Sequence, residues 1–458
     1  MTFFDAVAEL PALTVLFFAV ALAFAFGFEF INGFHDTANA VTTVIYTRTL
    51  PPTPAVLYAG VMNFLGVLIG GTAVAFSVVN LLPVDVLVDA SSATALVMVL
   101  SLLVAGVGWN LATWYIGLPV SSSHTLIGSI LGVGIANSLL RGSGLSGVRW
   151  DKAAEVGVGL LVSPVVGFVA AYLLLLVMKR AFRDPKLYVP PVGDDRPPKW
   201  VRGVLIGTCG GVSFAHGSND GQKGMGLILL VLIGFVSGHY ALDIYDASKV
   251  EAARVGAATV RDRLAAADKL TPELAAHADG VATALTGLGS FADLPPSRRW
   301  DVRQHLFQLS QATKDAAFAA DKTDGWKAAK KGLTGAVEFV PIWVVVCVAL
   351  ALGVGTTVGY KRIVITVAEK IGKTHLTYAQ GAAAEMVAAV TILAADLAHA
   401  PVSTTQILSS GVAGTMAANK SGLQARTARR ILLAWAFTLP CTMLLSGCLF
   451  AVGRLLVM

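Results

Sequence analysis

The chain has 458 residues, of which 55% are apolar and 14% charged, with a formal net charge of +6. Soluble domains carry about 25% charged residues, so a soluble globular protein is excluded, and repeated apolar runs of about 18 residues or more read as membrane spans. The basic residues sit in the loops between those runs, where membrane topology puts them, so the positive charge does not point to nucleic acid. The Cys residues (Cys209, Cys347, Cys441, Cys448) all lie in apolar stretches without a Cys-x-x-Cys. The His residues form no zinc-type pair, so neither a disulfide framework nor a metal centre is expected.

In chain order, ten apolar segments are expected, at roughly 12–46, 54–79, 91–108, 109–140, 153–178, 203–238, 335–359, 376–398, 400–418 and 431–453. The first is preceded by Asp5 and Glu9 and by no Lys or Arg, so it is expected to be a span and not a cleaved signal. The first and the sixth are each about 35 residues, against about 20 for a simple span. Each contains a polar, Gly-containing interruption, which predicts a broken helix lining a cavity. The Gly203-x-x-x-Gly207-x-x-x-Gly211 series predicts close helix packing.

The loops orient the chain. Segment 179–202 holds Lys179, Arg180, Arg183, Lys186, Arg196, Lys199 and Arg202 and is expected to be cytoplasmic. Lys361, Arg362, Lys370 and Lys373 fall on the same side, as do Arg426, Arg429 and Arg430, while the 80–92 loop with Asp85 and Asp89 falls outside. The 141–152 loop is an exception, external yet carrying Arg141, Arg149 and Lys152.

Two pairs of internal repeats stand out. NGFHDTANA (32–40) resembles HGSNDGQKG (216–224), aligning Gly33 with Gly217 and Asp36 with Asp220. LPVSSSHTLIGSILG (118–132) resembles APVSTTQILSSGVAG (400–414), aligning Ser121-Ser122-Ser123 with Ser403-Thr404-Thr405. Asp36 precedes Ser121 by 85 residues and Asp220 precedes Ser403 by 183; the excess matches a polar insert at 240–334. With five crossings per half, the second half enters the membrane from the opposite face. The fold class expected is therefore an all-α polytopic membrane protein of two inverted repeats, with broken or re-entrant helices and a small helical external insert.

The divisions expected are transmembrane repeat 1 over 1–178, a cytoplasmic linker over 179–202, the first part of repeat 2 over 203–239, the insert over 240–334, and the rest of repeat 2 over 335–458. The insert has balanced charge, 13 Lys and Arg against 12 Asp and Glu. Its DASKVEAARVGAATVRDRLAAADKL predicts an amphipathic helix, and its TPELAAHA a helix start with Thr271 as cap and Pro272 at the first position.

An Asp at a bilayer centre costs about 2.5–3.5 kcal/mol or more, so intramembrane acids are functional by default. Asp36 and Asp220 attract cations or protons. The hydroxyls of Ser121, Ser122, Ser123, Ser403, Thr404 and Thr405 donate to an anion, with a Pro ahead of each run starting a helix whose positive end points inward. A site with both wants an anion and a cation together, as in a cation-coupled anion symporter. Asn39 and Lys223 each lie three residues after their Asp, on the same helical face. Lys223 is expected to neutralise Asp220, to contact the anion, or both. Glu29, Glu385 and Asp396 are proton-pathway candidates; His35 and His124 could relay protons or simply pack. No nucleotide loop, nucleophile elbow or zinc pair is found, so an enzyme is not expected and ion gradients would power transport. A sulfate permease of the same fold competes with a phosphate carrier, and phosphate is favoured because it can share a proton with a carboxylate.

GFHDTANAVTTVIYTR, FAHGSNDGQKG and the paired PVSSSHT and PVSTTQ resemble the inorganic phosphate transporter (Pit) family, and EKIGKTHLTYAQG its bacterial low-affinity branch. The resemblance implies a multi-pass protein of the plasma (inner) membrane that imports inorganic phosphate, with no cofactor beyond the coupling ion. That ion is a proton or sodium; for the bacterial branch a proton is implied, often with a neutral divalent metal–phosphate complex as cargo. It also implies Asp36, Asn39, Asn219 and Asp220 at the ion site, the Ser/Thr runs at the phosphate, and a homodimer. The chain departs from the usual G-x-N-D-x-A-N signature at His35 in the first copy and at Gln222 and Lys223 in the second. A symmetrical pair of sodium sites is therefore not expected.

Overall fold

The computed structural model describes residues 7–8, 10–81, 92–145, 148–191, 196–315, 318, 321 and 323–457. Among these, helices are the regular elements, apart from one isolated bridge between Gly372 and Leu423. They are α1 (Ala12–Tyr46), α2 (Pro52–Ile69), α3 (Ala73–Val79), α4 (Ser92–Tyr115), α5 (Ser122–Leu140), α6 (Trp150–Ala181) and α7 (Lys199–Tyr240). There follow α8 (Ser248–Ala266), α9 (Pro272–Leu285), α10 (Pro296–Ala312) and α11 (Asp324–Val337), then α12 (Ile342–Thr356), α13 (Lys361–Ile365), α14 (Tyr378–Leu397), α15 (Thr404–Ala418) and α16 (Ala425–Val457).

Among the described residues eight helices are each long and apolar enough to cross a membrane, or nine spans if one bent helix pair counts as a single span, against the ten segments expected. The other two segments are shortened by their own residues. Pro341 precedes α12, and α15 begins only after the extended residues 400–403, leaving 15 residues in each helix. That is about 22 Å of helix against about 30 Å of hydrocarbon. The expected breaks at the Asp motifs are also corrected. α1 runs unbroken through 32–40 and α7 through 216–224; the non-helical backbone in α7 is at Val236. The motif side chains find partners sideways on other helices, so no backbone has to unwind to serve them. The surplus length is accounted for differently: residues up to Phe18 and from Leu232 onward belong to the compact unit that holds the insert.

Breaks occur instead at the two Pro-Val-Ser segments and between α2 and α3. At the latter, Gly71 has φ +88, a left-handed conformation that favours glycine. Gln222 of α7 serves the groups freed there: its amide donates to Gly70 O (3.1 Å), and its oxygen accepts from Val74 N (2.8 Å). This accounts for one departure from the usual signature.

In the unit formed by Ala19–Val231 and Ile342–Met458, the two Ser/Thr helices pack crosswise. α5 lies on α16, and α15 on α6. Small residues allow both contacts: Gly128 and Gly132 face the Leu439 and Met443 carbonyls, and Gly167 and Gly414 face those of Ile407 and Phe168. The Gly203 series does not serve this purpose. Among the described residues a Cβ at Gly203 or Gly207 meets nothing within 4 Å. The close approach of α7 is at Gly217, where a Cβ would overlap the Asn63 carbonyl of α2, while Gly66 of α2 faces Phe214 O. Gly217→Ala should therefore push α7 off α2 at a cost of about 1–3 kcal/mol. The check is the unfolding temperature of purified protein in detergent; an unchanged value would refute it.

The unit of Met1–Phe18 and Leu232–Pro341 has its own core, including Phe291, Leu306, Trp326 and Leu333. Thr271 caps α9 as expected, accepting from Leu274 N at 3.2 Å, with Pro272 at the first position. Arg299 and Arg303 are buried in this unit. Arg303 donates to the Ala241 and Val337 carbonyls, both at 2.8 Å, and Arg299 to Leu294 O at 3.0 Å.

Candidate functional site

Helical periodicity puts His216, Asn219, Asp220 and Lys223 within two turns along α7, and Asn32, His35 and Asp36 along α1. The structure brings Asp36 and Asp220 to one imidazole. His216 Nε2 lies 3.2 Å from Asp36 Oδ2 and 3.3 Å from Asp220 Oδ2. On the other side of the ring, Nδ1 is 2.8 Å from Asn63 Oδ1. The Asn63 amide is oriented by donating to Thr356 Oγ1 at 2.8 Å. Nδ1 is therefore the donor to Asn63. Nε2, set between two carboxylates, needs positive charge beside it, either a proton on the imidazole or a cation that all three groups share. Asp36, His216 and Asp220 are all buried, and one ligand atom from each lies within 4.8 Å of the others.

The start of α15 closes on this cluster. Thr404 Oγ1 donates to Asp36 Oδ2 at 2.9 Å and reaches Asp220 Oδ2 at 3.5 Å; Thr405 Oγ1 donates to Asp36 Oδ1 at 2.5 Å. Ser403 is the cap of α15, its oxygen accepting from Gln406 N at 3.3 Å. Ser121 caps α5 in the same way, accepting from His124 N at 3.2 Å. The matched caps hold two helix N-termini, with their positive ends, in the same buried region.

Lys223 joins the two. Its ammonium donates to Asp220 Oδ1 (2.6 Å), to Ser123 Oγ (2.7 Å) and to Val402 O (2.7 Å). Ser123 in turn donates to Val402 O at 3.2 Å. Three oxygens around one buried ammonium is the kind of shell that a bound monovalent cation would also take. Ser122 lies beside them, its buried hydroxyl without a hydrogen-bond partner among the described residues.

The phosphate transporter family profile matches residues 32–446. The chain belongs to the phosphate transporter family. It is 40% identical to the low-affinity inorganic phosphate transporter PitA of Escherichia coli K12, covering 95% of this chain and 96% of that one. To PitB of the same strain it is also 40% identical, covering 97% and 98%. A solved structure, "The sodium-dependent phosphate transporter", shares the fold, with a TM-score of 0.57 over 96% of this chain and 99% of that one at 20% identity. The resemblance read from the motifs therefore holds. The relatives are named as transporters, in agreement with the lack of enzyme signatures, and this family member is a multi-pass membrane protein.

Within this phosphate transporter His35 borders the central cluster, while Asn219 and Glu385 find their partners on other helices. Asn219 donates to Asp396 Oδ1 of α14, and Ser218 to its Oδ2, because neighbouring residues on a helix point about 100° apart. His35 Nδ1 is 3.6 Å from Asp36 Oδ1. The Asn39 side chain lies outside the described residues. Glu385 accepts from Thr208 Oγ1 at 2.6 Å. Glu29 is fully buried, two turns before Asp36 on α1. Sequence reasoning passed over His216 and Asn63. His216 had a signal, its spacing of four residues ahead of Asp220, whereas Asn63 in an apolar helix had none.

Proposed function

We propose that this chain imports inorganic phosphate by proton symport, with a divalent cation travelling with the anion. The observation that carries the reading is the pairing of Asp36, His216 and Asp220 with the ammonium of Lys223. Two carboxylate oxygens and one imidazole nitrogen suit a divalent metal of borderline or hard character as cargo. A fixed ammonium already bonded to Asp220 stands where a coupled sodium ion would otherwise compensate that carboxylate. Phosphate would meet the hydroxyls of Ser122, Ser123, Thr404 and Thr405 and the N-termini of α5 and α15. Ser121 and Ser403 would act at one remove, keeping those helix starts in shape. A phosphate oxygen arriving there competes with Asp36 for the Thr404 and Thr405 donors, which ties anion binding to the charge state of the Asp cluster.

The test is uptake of radiolabelled phosphate by purified protein in proteoliposomes. An inward proton gradient should drive accumulation, a sodium gradient should add nothing, and chelation of divalent cations should lower uptake about tenfold. Excess arsenate should compete and excess sulfate should not, because only the former can share a proton with a carboxylate at neutral pH. Uptake that demanded sodium and ignored the pH gradient would overturn the reading.

A further inference from the structure

We propose that Glu29 carries the proton that crosses the membrane with phosphate, an inference that rests on the proton coupling argued above. Glu29 is 0% exposed and neither carboxylate oxygen makes a geometrically good hydrogen bond among the described residues; the Asn32 amide, one turn on, approaches the carboxylate but donates to Asp220 Oδ2 at 3.5 Å. The other buried acids of this bundle have donors, Thr404 and Thr405 for Asp36, Lys223 for Asp220 and Thr208 for Glu385, as does the half-buried Asp396 from Ser218 and Asn219. A buried carboxylate without a well-placed donor is costly, and a bound proton removes that cost.

The surroundings are shaped for this side chain. A Cβ at Gly224 of α7 would land on the Glu29 carboxyl carbon, so α7 passes directly over the acid one turn beyond Asp220. Glu29 lies about 10.5 Å from Asp36 along α1. Its carboxyl sits against Gly224, one turn beyond Asp220 on α7, and it is not one of the three groups whose ligand atoms converge at the centre. The groups facing it from α7 are Asp220, of like charge, and His216 and Lys223, of opposite charge. On its own helix the nearest polar groups are Asn32, His35 and Asp36. A proton arriving at or leaving Glu29 therefore changes the field at Asp220 and Lys223 without occupying the anion's place. One proton binds and leaves per cycle, and no bond to phosphate forms or breaks.

The experiment compares wild type, Glu29→Gln and Glu29→Asp as full-length protein in proteoliposomes, in two assays. Gradient-driven accumulation needs net proton movement; exchange of labelled for unlabelled phosphate at equal pH does not. Glu29→Gln should lose proton-driven accumulation at least tenfold while exchange stays within about twofold of wild type and loses its pH dependence. Glu29→Asp should recover part of the accumulation. Accumulation by Glu29→Gln equal to wild type would overturn the inference. So would loss of exchange together with accumulation, since that would put Glu29 in the fold or the anion site. Failure of the wild type itself to respond to a pH gradient would instead sink proton coupling as a whole.

Discussion

Asp36→Asn should abolish phosphate uptake, lowering its rate at least a hundredfold with the protein still folded. The carboxylate takes donors on both oxygens, Thr404 on Oδ2 and Thr405 on Oδ1, and lies 3.2 Å from His216 Nε2. An amide keeps the shape but accepts on one atom only and carries no charge. One Thr hydroxyl then faces an NH2 group, and His216 loses one of its two anionic neighbours. Removing one member of a buried charge network costs about 3–5 kcal/mol, which is about 10²–10⁴ in rate if the loss falls on the transport step. The measurement is initial uptake in proteoliposomes, with elution on size exclusion to show that the fold survives. Uptake within tenfold of wild type would remove Asp36 from the site.

Lys223→Met should have an effect of the same size by a different route. The substitution keeps most of the volume and removes three donated bonds at once, leaving Asp220 Oδ1, Ser123 Oγ and Val402 O without the ammonium. Asp220 becomes a buried carboxylate without its closest countercharge, and the residue just ahead of the Ser403 cap loses its anchor. Uptake should fall at least a hundredfold, and the unfolding temperature should fall with it, because the ammonium no longer ties α7 to the entry of α15 and the start of α5, which keep only the Ser123 to Val402 O bond between them. A variant that transported normally would show that Lys223 is only a packing residue.

Much of this arrangement is legible in the sequence. The two Asp motifs and the two Pro-Val-Ser motifs announce themselves as polar islands in apolar segments, and their matched order identifies the four pieces that meet. Local rules were enough for Thr271 as a cap, because capping depends on a few neighbouring residues. The helix breaks were misplaced for a definable reason. A Gly beside polar residues looks like a break, yet Gly33 and Gly217 serve close contacts, with Thr356 and Leu352 in one case and Asn63 in the other. Whether a glycine loosens a helix or lets another one approach depends on what lies opposite, and a single chain segment does not contain that information.

Composition and burial cost suffice for the membrane class, and the motifs suffice for the family and for naming the candidate acids and hydroxyls. Which of them touch is settled by how the helices pack. That packing placed His216 between Asp36 and Asp220, gave Lys223 to Asp220 and Ser123 together, sent Asn219 to Asp396, and laid α7 at Gly224 over the Glu29 carboxyl. The contacts between α1, α7 and α15 join residues separated by up to 369 positions. Helical periodicity fixes which face each side chain occupies on its own helix. The pairing of faces is set by packing, where small residues allow approach and buried polar atoms must find partners.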